Sequence, residues 1–261
     1  MKRERTIVMM TSKIESLLRG LGIDPRDTDI SMFHERYAGM TVEFTSDILG
    51  ENNCLALDLP ILIKSQAPIS KVKNPAIAIV GEAPARKDPM SHLGNLSVGL
   101  TFGQHNISFY ERPRVYDMVI DWYLSKGFDV YLTNLSKTLR YVKREMRGQK
   151  RCIQKPISQD ASPIIEEIEE EMRAVKPSHI VWLGDAQWKK FIYGESVAQL
   201  HIDWTCFPHP SGANNNAWVE KLKSEGENLS STDYNKFKYI VSKTNVLYVG
   251  NDGTLHSTIE S

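Results

Sequence analysis

Four short apolar runs, Ala76–Val80, Asp129–Thr133, Ser178–Leu183 and Trp204–Phe207, constrain this chain more than any other feature. They are rich in β-branched and aromatic residues, and glycines (Gly81 and Gly184) stop the first and third. Helical spacing fills the intervals. Arg114–Ser125 sets Val115, Met118, Val119 and Trp122 on one face, and Gly127 stands where a helix end favours glycine. Pro163–Val175 begins with a proline suited to a first turn, has Ser162 to cap it, and carries Glu166, Glu167 and Glu169 near its positive end. Ala186–Ile192 has helical character as well. Strands alternating with helices predict an α/β domain of three layers, αβα, around a mostly parallel four-stranded central sheet.

Parallel sheets bind ligands beyond the carboxyl ends of their strands. The polar segments that follow the runs are therefore expected to share one cleft: Gly81-Glu82-Ala83-Pro84, Asn134, Gly184-Asp185 and His209-Pro210-Ser211. They offer a carboxylate, an amide and an imidazole, flanked by small residues and prolines. Such a set suits a polar heterocycle on which charge develops. Several common alternatives are missing from the sequence. There is no G-x-x-x-x-G-K-[ST] loop, no G-x-G-x-x-G, no G-x-S-x-G, and no H-x-E with P-C-x-x-C.

Residues 1–70 read as an accessory region and 71–261 as the catalytic domain with a C-terminal extension. Within the first part, Met10–Leu21 has helical spacing, and Cys54–Lys64 is apolar around Pro60. No apolar run approaches the roughly 18–20 residues that span a bilayer, and the apolar stretch after the basic start is too short for a signal peptide. A cytoplasmic monomer without membrane contact is the expectation. The cysteines, Cys54, Cys152 and Cys206, are widely spaced with no C-x-x-C pair, so neither a zinc ribbon nor a disulfide framework is expected.

Net charge is zero, which does not favour nucleic-acid binding, yet binding depends on a local patch. One segment qualifies. Lys137, Arg140, Lys143, Arg144, Arg147, Lys150 and Arg151 crowd together with Glu145 as the one acid among them. It reads either as a phosphate-tracking surface or as a solvated loop or helix face.

A family resemblance enters through five segments. Val80-Gly81-Glu82-Ala83-Pro84-Ala85 resembles motif 1 of the uracil-DNA glycosylase superfamily, nearest to the G-E-A-P-G form of its family 4. Phe207-Pro208-His209-Pro210-Ser211-Gly212 resembles the H-P-S loop of motif 2. Gly99–Gly103 is similar to the segment whose aromatic ring stacks on the extruded base, and Val130–Asn134 to the strand whose terminal Asn reads the pyrimidine edge. Pro177–Ala186 resembles the strand and turn before motif 2.

The resemblance implies a uracil-DNA glycosylase-like fold and a monofunctional DNA glycosylase. Such an enzyme flips a pyrimidine out of single- or double-stranded DNA and leaves an abasic site. It implies catalytic roles for His209, Asn134 and Glu82, and base contacts from Ala83, Ala85, Phe102 and Asn134. DNA contacts are expected from Ser211, Gly212, Asn214 and Asn215, with Lys137, Arg140, Lys143 and Arg144 beside them. The family 4 pattern carries four cysteines around an iron–sulfur cluster; this chain has three, with Ala161 near one ligand position, so no cluster, metal or other cofactor is expected. Ala83 stands where the best-known uracil-specific enzymes carry a water-activating aspartate, with Asp88 as a spare candidate. Ala85 stands where they carry a tyrosine that closes the pocket beside C5. The substrate expected from the resemblance is therefore uracil or a 5-modified pyrimidine, including the modified cytosines of phage DNA, and the expected role is base-excision repair or antiviral defence. A catalytically inactive DNA-binding module and a nucleoside- or nucleotide-processing α/β enzyme are the alternatives.

Overall fold

A computed structural model describes residues 5–6, 19, 41–43, 52–69, 74–84, 89–102, 114–146, 149–155, 162–184, 200–210, 214–224, 226, 232–249 and 254–258. Four parallel strands form the middle of the molecule: β5 (Ala76–Gly81), β7 (Asp129–Asn134), β10 (His179–Leu183) and β11 (Asp203–Phe207), in the order β7-β5-β10-β11. They coincide with the four apolar runs to within a residue at each end. Two short antiparallel strands, β4 (Ile61–Ile63) and β1 (Arg5–Thr6), extend the sheet beyond β7.

Alternation along the strands divides the core. Ile77, Ile79, Val130, Leu132, Val181, Leu183 and Phe207 face one way and pack with α1 (Val115–Ser125), α3 (Asn215–Ser224) and α4 (Asp233–Lys243). Ala78, Val80, Tyr131, Ile180 and Trp182 face the other way and meet Ile168, Met172 and Val175 of α2 (Ser162–Val175). Period-2 strands between amphipathic helices thus give the expected αβα layers. Gly127 ends α1 at φ +89°, and a side chain there would strike the Ala67 carbonyl at 2.7 Å. The helices expected over Met10–Leu21 and Ala186–Ile192 lie outside the described residues, apart from Arg19.

A second sheet goes beyond the expected four-stranded one. It runs β2-β6-β3-β8-β9, with β2 at Thr41–Glu43, β3 at Asn53–Leu59, β6 at Asn95–Leu100, β8 at Thr138–Met146 and β9 at Gln149–Lys155. Its strands come from distant parts of the chain, so no local alternation with helices announces them. The apolar segment around Pro60 supplies both β3 and β4. It therefore runs from the second sheet into the first, with a proline, which has no N–H to place in a ladder, at the passage. Residues 53–63 are thus hydrogen-bonded into both sheets.

The basic segment is a β-hairpin, neither a loop nor a helix face. Leu139 and Tyr141 of β8 turn inward to Cys54, Ala56 and Cys152. Among the described residues no helix is long and apolar enough to cross a membrane.

Candidate active site at the strand ends

Because β5, β7, β10 and β11 are parallel, their carboxyl ends fall on one edge of the sheet. Gly81 and Asn134 are register partners there, and the chain leaves Phe207 for Pro208, His209 and Pro210 on the same edge. The loop after β5 is held from both sides. Gly81 and Glu82 offer their carbonyls to the backbone N–H groups of Leu135 and Ser136 at 2.8 and 3.0 Å, and the Tyr141 hydroxyl donates to the Pro84 carbonyl at 3.1 Å. The hairpin thus clamps the first motif from the side of the second sheet. Pro84 is buried, Ala83 half-buried and Glu82 exposed, so the Glu82 carboxylate stands in solvent at the rim.

Gly81, Asn134 and Phe102 converge. A Cβ built on Gly81 would lie 2.5 Å from Asn134 Oδ1 and 3.0 and 3.1 Å from Phe102 Cε1 and Cζ. The glycine is required by close approach. Phe102 has φ +58°, a left-handed backbone that a bulky residue adopts at a cost of about 1–3 kcal/mol. Neighbouring contacts sustain it: Thr101 Oγ1 donates to the Leu59 carbonyl at 3.2 Å, and the Phe102 ring lies 5.2 Å from that of Tyr116. The Arg114 guanidinium covers Tyr116 at 4.2 Å and is itself held by Asp117 at 2.7 Å. Phe102 is thus an aromatic braced in a strained pose beside an amide, where a planar heterocycle could lie against it.

We expect Gly81→Ala to retain the fold and to lose at least about tenfold in activity, because a misplacement near 1 Å at a reacting centre costs up to ~10²-fold. Thermal unfolding and a rate measurement together check this; full activity would show that Asn134 and Phe102 need not meet at Gly81.

His209 is half-buried, and burial lowers its pKa below the ordinary 6.5, so at neutral pH the imidazole is uncharged. Its loop is fixed from behind. Trp218 Nε1 donates to the His209 carbonyl at 3.2 Å, and Lys236, 1% exposed, donates to the Pro210 carbonyl at 3.3 Å and to Asn215 Oδ1 at 2.7 Å. The Asn215 side-chain oxygen therefore anchors the loop, and Asn214 is half-buried beside it. Ala85, Asp88, Ala161, Ser211 and Gly212 lie outside the described residues.

The four basic residues expected to meet DNA do not share one surface. Lys137 is 2% exposed; its ammonium pairs with Glu171 Oε1 at 2.9 Å and donates to the Asn134 carbonyl at 2.5 Å. Its charge is neutralised inside the protein, which removes it from any phosphate-tracking surface. Glu171 also accepts from Thr133 Oγ1 at 2.8 Å, and burial raises its pKa against the pull of Lys137. Along β8, Lys143 projects to the Tyr141 side of the hairpin, whereas Arg140 and Arg144 project to the other. Arg144 is exposed; Arg140 and Lys143 are half-buried.

One neighbour of the candidate site has no signal in the sequence. Asp58, on β3 and 4% exposed, accepts from Asn134 Nδ2 at 3.2 Å. It falls in an apolar stretch outside every motif. Cys54 of β3 and Cys152 of β9 lie in one small cluster, while Cys206 sits on β11; none of the three forms a disulfide. Among the described residues, no three His, Cys, Asp or Glu side chains gather as a metal site.

The sequence model described as the Uracil DNA glycosylase superfamily matches residues 67–226, more than half of the chain. No curated protein matches it.

Proposed function

Given that this chain belongs to the uracil-DNA glycosylase superfamily, we propose that it is a monofunctional DNA glycosylase acting on a flipped-out pyrimidine. The observation that carries this is the convergence of Gly81, Asn134 and the strained Phe102, on the same sheet edge as the His209 loop. Extruding the nucleotide costs a few kcal/mol of unstacking, which contacts in the pocket offset. The base lies against Phe102, and Asn134 reads its edge through one donor and one acceptor. His209, uncharged at neutral pH, donates a hydrogen bond to O2 as the N-glycosidic bond breaks and negative charge gathers on the base. The sugar carries the matching positive charge; water adds to C1′, and the proton it gives up neutralises the departing base anion. Glu82, exposed at the rim of the loop, orients that water or stabilises the cationic sugar. The products are a free base and an abasic site with the strand uncut.

The substrate we propose is uracil or a 5-substituted pyrimidine. Support comes from the sequence at Ala85: alanine takes the position at which strictly uracil-specific members of the superfamily carry the tyrosine that excludes a substituent at C5. A pyrimidine modified there, as in phage DNA, would make the enzyme a defence factor; uracil would make it a repair enzyme. Incubation with DNAs bearing uracil, thymine, 5-hydroxymethylcytosine or its glucosylated form, followed by alkaline cleavage, tests both parts. Alkali-labile sites without added metal are the expected result. DNA binding with no base released from any substrate would replace the glycosylase with an inactive module.

A further inference from the structure

Asp58 belongs to no motif and lies outside the matched segment 67–226, yet its carboxylate touches the residue assigned to read the base. A carboxylate only accepts hydrogen bonds, so the nitrogen end of the Asn134 amide must face it. The oxygen end is then turned away, and Asn134 Oδ1 is the atom found against Gly81, beside the edge of the Phe102 ring. Both partners are held firmly. Asp58 sits on β3, paired on its two sides with β6 and β8, and its backbone N–H donates to the Lys137 carbonyl at 2.9 Å. Asn134 ends β7 in register with Gly81, with its own carbonyl bound to the Lys137 ammonium.

We propose that Asp58 is a positioning residue that locks the polarity of the Asn134 amide, so that the site discriminates between pyrimidines carrying an oxo group and those carrying an amino group at C4. This rests on the glycosylase reading above. A C4-oxo pyrimidine presents a donor at N3 beside an acceptor at O4; a C4-amino pyrimidine presents an acceptor at N3 beside a donor at N4. An amide free to turn over matches either edge. An amide pinned by a carboxylate matches one edge and opposes the other with like groups, and a site built to hydrogen-bond rejects the mismatched partner strongly. In this fold the N-terminal strand β3 therefore contributes to base choice through a residue that has no part in the chemical step.

Asp58→Asn is the test, because an amide of the same shape donates or accepts and satisfies both orientations of Asn134. Single-turnover release is measured from matched DNAs carrying uracil against cytosine and 5-hydroxymethyluracil against 5-hydroxymethylcytosine, pairs that differ at the C4 edge. The wild type is expected to prefer one member of a pair by on the order of 10²-fold or more. In Asp58→Asn that preference should shrink at least about tenfold, mainly through a faster rate on the poorer substrate, at an unchanged melting temperature. Asp58→Ser, whose hydroxyl also donates or accepts, serves if the first variant fails to fold. A preference that survives in the folded variant, or a fall of both rates by the same factor, overturns the role of Asp58 and leaves the glycosylase intact. A wild type that releases both members of each pair equally well overturns it too, and one that releases no base from any of these DNAs overturns both.

Discussion

Replacing His209 by alanine is expected to slow base release by about 10²- to 10³-fold with little change in stability, the usual loss when one donor aimed at developing charge is removed. The loop that carries it is held by its backbone carbonyls, at His209 to Trp218 and at Pro210 to Lys236, so truncating the imidazole leaves both anchors in place. The rate loss then belongs to the missing donor and not to a displaced loop. A second measurement separates the protonation states. Burial lowers the His209 pKa below 6.5, so the uncharged form persists as pH falls through that value. The wild-type rate should not rise as pH falls from 8 to 6.5. A rate that climbs across that range, and a climb that disappears in His209→Ala, would make the imidazolium the donor and end the neutral-donor account. His209→Ala with full activity would remove the residue from the mechanism.

Lys137→Ala is expected to cost about 3–5 kcal/mol of stability, the penalty for removing one partner of a buried ion pair. Lys137 and Glu171 are 2% and 0% exposed and 2.9 Å apart, so the deletion strands a carboxylate beneath the sheet. For a domain of this size the melting temperature should fall by roughly 10 °C. The pH dependence has a definite sign. Burial raises the native pKa of Glu171 above 4.5, so its protonated form is tolerated in the folded state and its charged form is penalised. The variant should be least impaired below about pH 4.5 and lose stability as pH rises through the native pKa. Replacing the pair together, Lys137→Met with Glu171→Leu, should recover much of the loss, since apolar substitutes of similar volume are often neutral. The same variants decide between an internal and an external lysine. A phosphate contact would reduce the salt slope of DNA binding by about one when removed. A stable Lys137→Ala protein with a shallower salt slope would return the residue to the DNA surface.

What could be read ahead of the structure follows from how local each signal is. The four parallel strands and the two helices α1 and α2 carry their own periodicity, stops and caps, so residues such as Ile77, Val181 and Met172 announce their faces within a few positions. The motif residues lie at strand ends, and parallel strands put those ends on one edge; this is why Gly81, Asn134 and His209 could be grouped in advance. The second sheet had no such signal. β3 is almost wholly buried and interrupted by Pro60, which hides both its period and its continuation into β4. β8 and β9 are dense in lysine and arginine, and the alternation of Leu139 with Tyr141 was the one trace of a half-buried strand among them. A count of basic residues could not show that Lys137 points inward while Lys143 and Arg144 part to opposite faces.

The sequence by itself determined the layered α/β fold, the family, and the edge on which the motif residues meet, because short-range patterning and strand direction suffice for those. Only the tertiary structure decided which charges are spent inside the protein and what stands next to the Asn134 amide. Lys137 is 34 residues from Glu171, and Asp58 is 76 residues from Asn134. Partners that far apart are chosen by strand register and by the cost of leaving a buried polar group unpaired, and neither term is visible until the two sheets are brought together.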